Sequence, residues 1–135
     1  FNREVIGVSF SANHDKELVL SALRDALHKN PAPLYIHSDQ GSEYQSYVYF
    51  DMLKEYKIKA SFSDKASPWQ NGYQESFYSE FKKDLGDVSR FETLGEFIEG
   101  LYQQIYYYNH KRIHTALSMP PSLFKQCFPS PCKAF

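Results

Sequence analysis

Apolar positions recur along this chain at two spacings, and the change from one to the other marks out the elements. From Glu4 to Phe10 (Glu-Val-Ile-Gly-Val-Ser-Phe) a short β-branched run bounded by polar residues predicts a strand. Asp15 to His28 then carries Leu18, Val19, Ala22, Leu23, Ala26 and Leu27 as a one-sided stripe, the mark of an amphipathic helix, and Pro31 and Pro33 stop it. Leu34 to Ser38 predicts a second strand, Ser46 to Tyr56 a second helix with Tyr49, Leu53 and Tyr56 on one face, and Ile58 to Phe62 a third strand.

Ser63 to Pro68 predicts a loop. Ser67-Pro68-Trp69-Gln70 predicts a helix start, with Asn71-Gly72-Tyr73-Gln74 as a second possible start. At about 100° per residue, Phe77, Phe81 and Leu85 share the core side of this helix, while Glu75, Ser79 and Lys82 share the other. Thr93-Leu94-Gly95-Glu96 predicts a capping box opening a helix with Phe97, Ile98, Leu101, Ile105 and Tyr108 inside, ending near Asn109. A basic turn, a Pro-Pro break at 120–121 and a short apolar piece at Leu123 and Phe124 follow. Strands alternating with helices make the class α/β. The domain is read as residues 1–126, with 127–135 as a tail.

Composition narrows the function classes. At 135 residues the chain is one domain at most; 42% hydrophobic and 23% charged residues suit an ordinary core, and 17% aromatics predict much ring-on-ring packing. A net charge of −1 gives no global nucleic-acid signature, so a DNA partner has to be argued from local patches. No apolar run reaches a membrane span and no signal peptide opens the chain. The first residue is Phe rather than Met, which reads as an excised piece. Cys127 and Cys132 read as free thiols. A zinc set of His110, His114, Cys127 and Cys132 is the sharper and weaker alternative, because the Cys spacing is loose and proline-rich.

Four pieces carry the chemistry: His-Ser-Asp-Gln-Gly-Ser-Glu-Tyr at 37–44, Ser-Pro-Trp-Gln-Asn-Gly at 67–72, Glu-Ser-Phe at 75–77 with Lys82 beyond, and Tyr-Asn-His-Lys-Arg-Ile-His-Thr-Ala-Leu at 108–117. Asp39 alone, before Gln-Gly, reads as a turn organiser, and Glu75 alone as a complement to a helix dipole. Together, and with 35 residues between the two acids, the pieces resemble the catalytic core of DDE transposases and retroviral-type integrases, most of all insertion-sequence transposases. The resemblance implies a ribonuclease-H-like mixed sheet flanked by helices, and metal-dependent DNA cleavage and strand transfer. It makes Asp39 and Glu75 two of three carboxylates that hold Mg²⁺ or Mn²⁺. It also implies DNA contacts from Lys82, Asn71 and Gly72, a cytoplasmic, nucleoid-associated setting, and DNA as partner.

Lys111 and Arg112 are candidate phosphate contacts, whereas Asn109 and His114 read as fasteners of the last turn, and Tyr106-Tyr107-Tyr108 as packing. The resembled family's first Asp lies upstream of the segment matched by Phe1 to Gly7, and Asp15 is no substitute. This polypeptide by itself is therefore expected to have little strand-transfer activity. It is also expected to lack the first strands, which would leave a ladder edge at Glu4–Phe10 and so favour a homo-oligomer or a rearranged sheet. The rival reading is a non-enzymatic remnant that binds DNA or oligomerises; a ribonuclease-H-like nuclease of other purpose is a third, opposed by the pieces at 67–72 and 108–117.

Overall fold

The computed structural model describes residues 2–13, 15–63 and 72–129, in the order α1 (Lys16–Lys29), β1 (Tyr35–Ser38), α2 (Tyr47–Glu55), β2 (Lys59–Phe62), α3 (Gly72–Leu85), a 3₁₀ turn (Val88–Arg90), α4 (Leu94–His110) and α5 (Pro121–Cys127). It falls into two compact units, Ile6–Phe77 and Phe1–Val5 with Tyr78–Phe135, and the boundary passes through α3. They are called here the ladder unit and the helical unit.

In the ladder unit, helix bounds follow local chemistry. Asp15 caps α1 by accepting from the Leu18 N–H at 3.2 Å, and Asn30 closes it by donating to Ala26 O. Ser46 caps α2 by accepting from Tyr49 N–H at 3.3 Å. α2 connects the parallel strands β1 and β2, whose register sets Tyr35 opposite Lys59 and Ser38 opposite Phe62. Leu20, Tyr49, Leu53 and Ile58 form the buried nucleus, with Val19, Leu23, Leu27, Ile36 and Met52 packed against it. Aromatic packing is edge-on as the composition predicts, with Tyr44 on Tyr49 at 5.6 Å and Phe50 on Phe62 at 6.1 Å between centroids. Burial pushes the Tyr49 hydroxyl up to about 12.

The strand expected over Glu4–Phe10 is not there: β1 and β2 are the only strands among the described residues, and they make a two-stranded parallel sheet. A strand exists only by virtue of a ladder partner, and this segment's backbone bonds to side chains instead. Val8 donates to the Asp25 carboxylate at 3.1 Å. That carboxyl lies below its ordinary range, chiefly through the hydrogen bond from Lys29 and also through the Val8 amide. Gly7 lies so close to α1 that a Cβ there would come within 2.5 Å of Ala22 O, which only glycine tolerates.

The helical unit is held differently. Thr93 caps α4 by accepting from Glu96 N–H at 3.2 Å, and the Glu96 carboxylate reaches back one residue further than the capping-box pattern, to the Glu92 N–H at 2.8 Å. Phe97, Ile98, Leu101 and Ile105 are half-buried and Tyr108 fully so, which is the expected stripe; Leu85 is the buried end of α3. Gly86, at φ 73°, ends α3 in the left-handed region and donates to Lys82 O. Pro121 opens α5. Asn109, 7% exposed, accepts from Val5 N–H at 2.9 Å and donates to Val5 O at 2.8 Å, like a strand neighbour made of one side chain.

Candidate active site

Both strands of the ladder unit point their carboxyl ends the same way, and that end of a parallel sheet is where open α/β folds place ligands. Asp39 is the first residue beyond β1. It is exposed, and its Oδ1 accepts from the Gly41 N–H at 3.0 Å, closing a turn on the acid's own side chain. The turn-organising role of Asp39 is therefore real, and it orients the carboxylate. Gly41 suits a tight spot: a Cβ there would lie 2.9 Å from Glu43 Oε1 and 3.1 Å from Asp39 Oδ1. The turn is thus flanked by two carboxylates, of which Glu43 sits in the 37–44 piece without having been singled out.

Around the turn lies a polar set that no local pattern announces. His37 Nδ1 lies 3.0 Å from Ser61 Oγ and its Nε2 3.2 Å from Ser63 Oγ. Ser63 donates its backbone N–H to Ser38 O at 2.9 Å and accepts at its carbonyl from Gln40 Nε2 at 3.0 Å. The only signal in the sequence is alternation, since His37 faces Ser61 across the ladder and Ser63 is the next residue on that side.

Glu75 is exposed on the first turn of α3, in the same compact unit as Asp39. Gly72 is the first residue of α3, and a Cβ there would meet nothing within 4 Å among the described residues. Lys82 is exposed in the last turn of α3, within the helical unit. Asn71 and the Ser67–Gln70 helix start lie outside the described residues.

Lys111 and Arg112 separate. Lys111 is exposed at the end of α4. Arg112 donates from Nε to Asp84 at 2.7 Å and from a terminal nitrogen to Glu80 at 3.0 Å, so its charge is answered within the helical unit. Glu80 lies below its ordinary range, first through the hydrogen bond from Lys83 and then its charge, with Arg112 adding to it. Burial lowers the His114 imidazole, helped by Arg3 and Arg112, and its Nδ1 is buried without a partner among the described residues. Tyr108 is packed, while Tyr106 is exposed with its ring 4.5 Å from that of His110.

Among the described residues no three His, Cys, Asp or Glu side chains gather where a metal could sit, and Cys132 of the zinc alternative lies outside them. Oxygen donors such as Asp39 and Glu75 suit a hard divalent cation in kind, and water completes such shells. No described helix is long and apolar enough to cross a membrane.

Residues 1–68 match one family model described as an integrase core domain, and residues 56–121 match a second of the same description. The chain belongs to the integrase core domain family. This integrase-core chain is 37% identical over 120 residues to the transposase for insertion sequence element IS904 of Lactococcus lactis, covering 87% of this chain and 47% of that protein. It spans about half the length of the curated relatives it matches. Its fold is similar to the HTLV-2 integrase catalytic core domain in complex with magnesium (TM-score 0.68, 18% identity, 87% of this chain and 74% of that one). It is similar also to a chain of the simian T-cell lymphotropic virus intasome (TM-score 0.74, 16% identity, 94% and 45%). The fold is ribonuclease-H-like.

Proposed function

We propose that this chain is part of an insertion-sequence transposase core that cuts and joins DNA with divalent metal, Asp39 and Glu75 supplying two of the ligands. The observation that carries the reading is the placement of Asp39 at the carboxyl end of the parallel pair, on a turn fixed by its own Oδ1. The relatives support it, since the IS904 protein is a transposase and the HTLV-2 core is a magnesium complex. When bound, Mg²⁺ or Mn²⁺ would activate the attacking oxygen and stabilise the leaving one. The chain's own part is to present the two carboxylates, and Lys82, Lys111, Gly72 and Asn71 are each proposed to contact DNA phosphates. Arg112, a further candidate phosphate contact, is engaged by Asp84 and Glu80 of its own unit.

DNA is the partner of this reading, in the cytoplasm, and self-association is part of it, as in the trimeric HTLV-2 core. Among the described residues no three metal-ligating side chains gather, and the 135-residue polypeptide alone is expected to lack strand transfer. The same observation favours a second reading, a module that binds DNA without reacting. Mn²⁺ titration of the wild type, Asp39→Asn and Glu75→Gln tests the assignment: each substitution is expected to weaken binding about tenfold or more. A wild type that takes up no Mn²⁺ but still binds DNA would hand the case to the second reading.

A further inference from the structure

Three residues bracket Asp39 in the sequence, and all three converge on one serine. Ser38 takes the Ser63 backbone N–H on its carbonyl oxygen at 2.9 Å, Gln40 donates from Nε2 to the Ser63 carbonyl at 3.0 Å, and His37 lies with Nε2 3.2 Å from the Ser63 hydroxyl. That hydroxyl also lies 3.4 Å from Ser38 O. Ser63 itself is only 3% exposed, and its bonds to His37, Ser38 and Gln40 are partly buried. The His37 ring is fixed from its other side by Ser61, 3.0 Å from Nδ1. Either tautomer satisfies both serines, because a hydroxyl can turn to donate or accept.

A four-residue parallel pair is a weak frame for a catalytic group; two short strands by themselves are marginal in water. The acid stands just past the last rung, where such a ladder frays first. A carboxylate that must be held to within about 0.5 Å of a working geometry needs a support that does not depend on the ladder alone. Ser63 supplies it from beyond the end of β2, by carrying the pairing one residue past Phe62 and tying down both neighbours of Asp39.

We propose that Ser63, braced by His37, is the positioning group of the Asp39 turn. It touches neither substrate nor metal in this scheme; it acts through the backbone on either side of the acid. The inference rests on the reading of Asp39 as a working carboxylate, yet the turn's order is measurable without metal or DNA.

The experiment is amide hydrogen exchange on the full chain, metal-free, for the wild type, Gln40→Ala, Ser63→Ala, His37→Ala and His37→Gln. The reporter is the Gly41 N–H held by Asp39 Oδ1, and the internal control is the Lys59 N–H bonded to Leu34 O at the other end of the ladder. Gln40→Ala, which removes the bond to the Ser63 carbonyl, and His37→Ala, which removes the brace on its hydroxyl, are expected to speed Gly41 exchange about fivefold to tenfold with Lys59 unchanged. Ser63→Ala, which keeps both backbone bonds, is expected to match His37→Ala. His37→Gln, which keeps a head able to donate and accept, is expected to restore most of the protection. Gly41 rates that stay at the wild-type value, or Gly41 and Lys59 accelerating together in every variant, overturn the proposal. Gln40→Ala, a change at an exposed side chain, repeats the comparison if Ser63→Ala does not fold. A parallel Mn²⁺ titration keeps the two claims apart: faster Gly41 exchange in a chain that never binds Mn²⁺ leaves the clamp standing and removes Asp39 as a ligand.

Discussion

In the ladder unit the elements close over an apolar nucleus of Leu20, Tyr49, Leu53 and Ile58, whereas the buried set of the helical unit includes Asn109 and Ser122 beside Leu85 and Tyr108. In the first unit the buried polar residue, Ser63, stands at one end beside the turn of Asp39. In the second the polar groups are fasteners: Asn109 grips the backbone of Val5 through both its amide atoms, and Arg112 spans Glu80 and Asp84. Apolar burial is non-directional, so it fixes the presence of an element better than its detailed placement. A paired amide or guanidinium fixes placement, and it is costly when one partner is removed. The difference suggests a division of labour, with stability in the ladder unit supplied by the nucleus and precision by the polar end, while in the helical unit one set of bonds does both.

The largest expected effect tests the apolar side of this contrast. Leu53→Ala opens a cavity in the nucleus and should cost about 2–5 kcal/mol in urea unfolding. A cost under about 1 kcal/mol would show that the ladder unit does not depend on that nucleus. The next tests the polar side: Asn109→Ala leaves the Val5 N–H and C=O half-buried and unpaired, for an expected loss of about 1–3 kcal/mol. Exchange at the Val5 amide should rise with it, and a silent Val5 amide would count against Asn109 as a fastener.

The smallest effect is pH-dependent. Burial holds His114 below its ordinary 6.5, so the unfolded chain binds the proton more readily than the folded one. Its contribution is complete above 6.5 and is lost as pH falls through the lowered folded value. Urea midpoints compared at about pH 7.5 and about pH 5 should show a drop that His114→Gln reduces; an equal drop in both proteins would place the sensitivity elsewhere.

Nearest-neighbour chemistry was enough to place most of the elements. The stripe from Leu18 to Leu27, the caps at Asp15, Ser46 and Thr93, and the β-branched or aromatic runs before Asp39 and Ser63 are properties of a few consecutive residues, and α1, α2, α4 and both paired strands stand within a residue or two of the expected bounds. The same local reading put Asp39 on a turn after a strand, because that much is written in adjacent letters, whereas its proposed role as a ligand came from the family resemblance. Tertiary structure alone decided the rest. Glu4–Phe10 had strand composition, but pairing is a relation between two segments, and its backbone found Asn109 and Asp25 instead. Lys111 and Arg112 look interchangeable in sequence, yet only Arg112 meets two acids from roughly a turn apart on α3. Ser63 reads as a loop residue until the parallel register brings it beside Ser38, because hydrogen bonds between groups some 25 residues apart leave no periodic trace for a sequence to show.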